Sequence, residues 1–100
     1  LEYENAPDFG LIIPEGISPN SDGFNDQLRI LGLEAYPANR LEIFNVHGIR
    51  VYSQESYDHS WEGTSMHGKE KHLPSGTYYY VLYLEQEGAI LKGFIYLRRE

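Results

Sequence analysis

Two long alternating runs near the end of the chain constrain its fold more than any other feature. "LPSGTYYYVLYLE" is entered through a Pro-Ser-Gly turn, and Gln86-Glu87-Gly88 leads from it into "AILKGFIYLRR". Aromatic and β-branched residues at period two read as strands, and a short Gly-bearing connection folds them into a hairpin. On the first strand Tyr78 and Tyr80 face one way and Tyr79 the other. On the last, Lys92, Phe94, Tyr96 and Arg98 share one side, with Gly93, Ile95, Leu97 and Arg99 opposite. Ile95 and Leu97 suit a core, which leaves the other side as a cationic-aromatic stripe. Such a stripe is either a protected sheet edge or a recognition surface for an acidic partner, and the residues leave both open.

Shorter strand signals precede the hairpin. Phe9 to Ile13 is stopped by Pro14, and Gln27 to Leu31 places Leu28 and Ile30 on one face. Tyr36-Pro37-Ala38-Asn39 reads as a turn. "RLEIFNV" and "IRVYS" bracket His47-Gly48 as a second hairpin, with Leu41, Ile43 and Asn45 on one face and Glu42, Phe44 and Val46 on the other. Trp61-Glu62-Gly63 reads as a short strand or corner with Trp61 buried, and residues 64–72 as a polar loop. No window carries a sustained helical stripe, and nine Tyr, four Phe and one Trp favour strands. The expected fold is all-β, an immunoglobulin-like antiparallel β-sandwich of about seven strands. Residues 1–8 read as a linker or arm and 9–100 as a single domain. At least one of Tyr78, Tyr79 and Tyr80 is expected to be buried with its hydroxyl bonded to backbone at a sandwich corner.

Fifteen acids against eight bases give a net charge of −7, which argues against nucleic acid or an anionic membrane as partner. No apolar run approaches the roughly 20 residues of a membrane helix, so direct membrane insertion is not expected. There is no cysteine, so the fold needs no disulfide. His47, His59, His67 and His72 match no compact zinc-ligand spacing and read as surface or turn residues. Ser75 precedes Gly76 in the turn entering a strand, not in a nucleophile elbow. The carboxylates flank no evident cleft. Catalysis is not expected.

The stretch "SPNSDGFND" invites comparison with a calcium loop. Aligned on Gly23, the EF-hand ligand positions fall on Ser18, Asn20, Asp22, the Phe24 carbonyl, Asp26 and Arg29. A hydroxyl opens the loop and a cation closes it, so the EF-hand pattern fails. Asn20, Asp22 and Asp26 could still donate oxygen to calcium in another geometry. Equally, these residues suit a hydrogen-bonded turn with Gly23 in a left-handed conformation.

In this order the segments resemble the type B C-terminal sorting domain of the type IX secretion system. This is the gliding-motility-associated C-terminal domain of Bacteroidota surface proteins. Pro19-Asn20-Ser21-Asp22-Gly23-Phe24-Asn25-Asp26 is similar to the family's P-N-G-D-G-x-N-D, with Ser21 in place of the first Gly. Ile43-Phe44-Asn45-Val46-His47-Gly48, leading to Val51-Tyr52, resembles I-F-N-R-W-G-x-x-V-F, with Val46-His47 in place of Arg-Trp. Tyr57 with Trp61-Glu62-Gly63 follows, then Leu73-Pro74-Ser75-Gly76-Thr77-Tyr78-Tyr79-Tyr80, then Lys92-Gly93 through Leu97-Arg98. Each motif alone is weak, and the order and spacing give the specificity.

The resemblance implies a non-catalytic C-terminal signal that targets a cargo protein through the periplasm and across the outer membrane, to the cell surface or medium. The implied partner is the outer-membrane machinery of that system, of the SprF/PorP kind, and no cofactor is required. The contact surface expected from it is Tyr79, Lys92, Phe94, Tyr96, Arg98 and Arg99, together with the opening loop. The alternative class is an immunoglobulin-like adhesive or carbohydrate-binding module that uses exposed tyrosines.

Overall fold

The computed structural model of the chain describes residues 9–19, 26–66 and 71–99. Among these, the strands are β1 (Gly16–Ile17), β2 (Asn39–Phe44), β3 (Arg50–Glu55), β4 (Thr64–Ser65), β5 (Lys71–His72), β6 (Gly76–Leu84) and β7 (Ala89–Leu97). Five of them form one sheet in the order β1-β7-β6-β2-β3, while β4 and β5 pair with each other. The expected β6–β7 hairpin is the centre of this arrangement. Its register runs without a shift from Gly76↔Leu97 to Leu84↔Ala89. A 3-10 turn, Glu85–Glu87, reverses the chain and ends at Gly88 with φ 65, a conformation that costs glycine little.

The second expected hairpin is also present. β2 pairs antiparallel with both β6 and β3, with a bulge opposite the Ile43–Phe44 step. Asn45 Oδ1 closes the turn by accepting from the backbone N–H of His47 at 2.9 Å and of Ile49 at 3.0 Å. The alternation in both hairpins then divides the sheet. Leu41, Ile43, Tyr78, Leu82, Ile95 and Leu97 are buried on the inner face. A second layer carrying Leu28, Ile30, Leu33, Tyr57 and Trp61 covers them, and Ile17 on β1 joins the same core. Burying side chains of this size contributes roughly 1.5–3 kcal/mol each, so this inner face supplies most of the folding free energy.

The fold is the expected all-β sandwich, but its second layer holds few ladders. Phe9 to Ile13 makes a single bridge, Ile12↔Leu31, in place of the expected strand. Gln27 to Leu31 buries Leu28 and Ile30 as the alternation requires, yet it joins no sheet. Its neighbour is the corner at 56–59, where Ser56 (φ 52) and His59 (φ 66) leave the β region and so break any ladder. Single backbone bonds and side chains replace the ladder there. The Leu28 N–H donates to the Trp61 carbonyl at 2.9 Å, and the Ile30 N–H to His59 Nδ1 at 3.1 Å. The buried Tyr57 hydroxyl donates to the Leu28 carbonyl at 2.8 Å and accepts from the Trp61 N–H at 2.9 Å.

Two pairings were not expected. β1 lies parallel to β7, through Gly16↔Tyr96 and Ile17↔Leu97. The stretch expected as a polar loop at 64–72 pairs its own ends as β4 and β5. Trp61 is buried, as expected, at the corner that Gly63 turns with φ 82.

Gly63 is required twice over, by its left-handed φ and by space. A Cβ there would meet a Leu97 methyl and an Arg99 guanidinium nitrogen, each at 2.8 Å. Gly48 has a similar φ of 79 with open space around it. Gly63→Ala is expected to destabilise the fold by about 2–4 kcal/mol, against about 1–2 kcal/mol for Gly48→Ala. Urea midpoints at unchanged slope check both values. Equal losses would mean that packing at Gly63 contributes nothing.

Candidate docking face

The outer face of the same sheet is a lattice of side chains fixed by register. Phe44 on β2, Tyr79 on β6 and Phe94 on β7 form one row, because Phe44↔Tyr79 and Tyr79↔Phe94 are cross-strand partners. Thr77 and Tyr96 form the next row on one side. Glu42, Val81 and Lys92 lie on the other side, followed by Arg40, Tyr83 and Ile90. Tyr79, Phe94, Tyr96 and Ile90 remain about half exposed, at 47%, 52%, 48% and 48%. Large contiguous apolar patches on folded domains are a common feature of interaction sites.

At the β2–β3 end the face is polar and closed. Glu42 is buried among its neighbours. Its carboxylate accepts from Arg50 Nη1 at 3.3 Å and from the Tyr83 hydroxyl at 3.2 Å. Arg40 Nε lies 3.6 Å from Glu42, too far for a hydrogen bond, and the Arg40 guanidinium stacks 4.2 Å over the Tyr83 ring. Lys92 and Arg98 are exposed at the opposite edge. Among the described residues neither has a carboxylate within salt-bridge distance.

Tyr79, Lys92, Phe94, Tyr96 and Arg98 therefore share one face, as the alternation suggested. Arg99 lies on the other side and serves the fold. Its side chain donates to the Leu73 and Gly63 carbonyls, each at 2.5 Å, and its backbone N–H to Ser75 Oγ at 2.7 Å. Phe44, Val81, Tyr83 and Ile90 also belong to the face and were missed. Alternation had already put Phe44 on the face of β2 opposite Leu41 and Ile43, but only the β2–β6 register places it beside Tyr79.

Most of the remaining motif residues hold backbone in place. The Tyr78 hydroxyl donates to the Pro74 carbonyl at 2.8 Å, the corner bond expected of one of the three consecutive tyrosines. Gly76 and Thr77 open β6, Thr77 opposite Tyr96. Gly93 leaves room for the Tyr80 ring, whose hydroxyl would stand 2.6 Å from a Cβ. Asn45 and Gly48 shape the β2–β3 turn. Of the opening loop, Pro19 and Asp26 line a polar cleft of about 370 Å³ with Gln27, Glu62, His72 and Arg99. Asn20, Asp22, Gly23 and Asn25, and with them most of the calcium reading, fall outside the described residues.

Burial pushes the Tyr57 hydroxyl pKa far above its ordinary value, and raises those of Tyr52 and Tyr78. The Arg99 charge partly opposes the shift at Tyr78. Asp58, hydrogen-bonded by Ser60, is held below the ordinary carboxylate range.

A family model described as CHU_C Type IX secretion signal domain matches residues 11–97. No curated protein and no solved structure matches the chain significantly.

The three tyrosines predict alkaline lability. Each holds its proton more tightly in the folded than in the unfolded chain, where the pKa is 10.0. Their contribution is complete below that value and is lost as pH rises toward the raised ones. The urea midpoint should stay level up to about pH 9 and fall above about pH 10. Tyr57→Phe should flatten much of that fall. At neutral pH it should cost about 1–3 kcal/mol, because the Leu28 carbonyl and Trp61 N–H lose their partner.

Proposed function

This chain belongs to the CHU_C type IX secretion signal domain family, and from that premise we propose that it is a non-catalytic C-terminal address for outer-membrane export. A type IX secretion signal marks its protein for the cell surface or the medium. In the proposed role the domain folds in the periplasm and is recognised there by the outer-membrane machinery, through a protein of the SprF/PorP kind. The attached cargo then crosses with it. No bond is made or broken by the domain, and no cofactor takes part.

One observation carries the choice of surface. The exposed row of Tyr79 and Phe94, with Tyr96 beside it, is held rigid by three paired strands and makes no visible contribution to the core. Large aromatic side chains on a fixed backbone lose little entropy on binding and dominate interface energetics. Lys92 and Arg98 along one border add a positive rim. Such a rim steers an acidic partner into register more than it adds affinity. The same rings would suit a sugar-stacking adhesive module, which is the competing reading.

The test is secretion of a fluorescent reporter carrying this chain behind a signal peptide, in a type IX-competent bacterium and in a secretion-null strain. Reporter outside the first and retained in the periplasm of the second is expected. Tyr79→Thr combined with Phe94→Thr keeps β-propensity and should change stability by no more than about 1 kcal/mol. It should reduce export on the order of ten-fold or more. Undiminished export by that variant would remove the outer face from the mechanism. Retention of the unaltered reporter in both strains, with glycan binding by the isolated domain, would favour the adhesive module.

A further inference from the structure

Among the described residues, only the Tyr96–Leu97 end of the outer edge of β7 is paired. β1 pairs with it at Tyr96 and Leu97, where the Tyr96 N–H donates to the Glu15 carbonyl at 2.7 Å and the Arg98 N–H to Ile17 at 3.0 Å. The ladder stops there, just after Pro14, whose ring fixes the direction of the chain. Backbone groups alternate along a strand, and the β6–β7 register has no shift. The N–H and C=O of Lys92 and Phe94 therefore point to the same edge as those of Tyr96. Among the described residues no backbone group meets them.

Resting on the docking reading above, we propose that the machinery engages the domain by strand addition. An extended acidic segment of the partner pairs with Lys92 and Phe94 and continues the sheet beyond the end of β1. The incoming backbone pairs with two donors and two acceptors that no described residue meets, and its alternate side chains fall beside Phe94 and Lys92 on the outer face. Charge selects the occupant. The outer face carries Arg40, Arg50, Lys92 and Arg98 against Glu42 and Glu55, on a chain whose net charge is −7. Arg40 and Arg50 are already spent on Glu42, so the unpaired positive charge lies beside the open edge. A second copy adding edge to edge about a two-fold axis at Gly93 would set Lys92 opposite Phe94 and bring two copies of the same positive border together, which disfavours self-pairing.

Proline separates backbone pairing from side-chain contact. An edge strand tolerates it where the missing N–H faces outward, so Lys92→Pro keeps the inward bonds of Leu91 and Gly93. Lys92→Ala removes the charge and keeps the amide. In the reporter assay, Lys92→Pro should reduce export at least ten-fold and Lys92→Ala no more than about three-fold. Equal export by the two variants overturns strand addition, even though Tyr79→Thr with Phe94→Thr still abolishes export and the docking reading stands. Retention of the unaltered reporter is the separate outcome in which the docking reading itself fails. The purified Lys92→Pro chain must melt as the parent does. If it does not, amide exchange of the unaltered chain decides, measured alone and with detergent-solubilised outer membranes of the competent strain. New protection at Lys92 and Phe94 supports the proposal, and unchanged exchange at both overturns it. A dimer of the unaltered chain that Lys92→Pro makes monomeric would assign the edge to self-association and overturn the acidic partner.

Discussion

The uninterrupted register between β6 and β7 is the constraint on which the rest of the molecule depends. A slip of one residue by β7 would turn that strand over, exposing Ile95 and Leu97 and burying Lys92. Gly88 sets that register by closing the turn without strain, and Gly93 protects it by giving the Tyr80 ring a place to lie across the neighbouring strand. Every other element is placed relative to this hairpin. β2 extends it on one side, β1 caps part of the other, and the second layer packs over the inner face.

That second layer shows how a sandwich can be completed with few ladders. Extended backbone that joins no sheet must still satisfy its buried N–H and C=O groups. Here polar side chains do so. Tyr57 bridges Leu28 and Trp61, His59 accepts from Ile30, and Asn39 Oδ1 accepts from the Tyr57 N–H at 2.9 Å. Arg99 ties the last turn of chain to Gly63 and Leu73 in the same way. These residues are polar in composition and structural in role.

What the sequence revealed follows the same division. The two hairpins, the shared face of Leu41 and Ile43, the inward placement of Ile95 and Leu97, and the burial of Trp61 were legible, because alternation and turn chemistry are local properties. So was the shared face of Lys92, Phe94, Tyr96 and Arg98. The strands expected at Phe9 to Ile13 and Gln27 to Leu31 were not found. Alternation reports which side chains are buried, and Leu28 and Ile30 are, but a ladder also needs a neighbour in the β region. β1 was invisible for the converse reason, since two residues carry no pattern and their pairing is decided by β7. Arg99 looked like a surface cation because nothing local shows that the Gly63 and Leu73 carbonyls lie within its reach.

On the outer face, the lattice separates what stabilises the domain from what it presents. At the β2–β3 end, Glu42 gathers Arg50 and Tyr83 and draws Arg40 flat over the Tyr83 ring, so long side chains cover the sheet. Ion pairs whose cation stays this exposed add little stability on their own, and their effect here is to cover that end of the sheet. At the β7 end no such cluster forms among the described residues, and the apolar row ends at an edge where no described backbone group meets Lys92 or Phe94. The surface that remains is aromatic, positively bordered and next to that edge. Most substitutions there leave the core untouched, because the core is built from the alternate residues of the same strands. A recognition surface can thus vary with its partner while the register that displays it stays fixed.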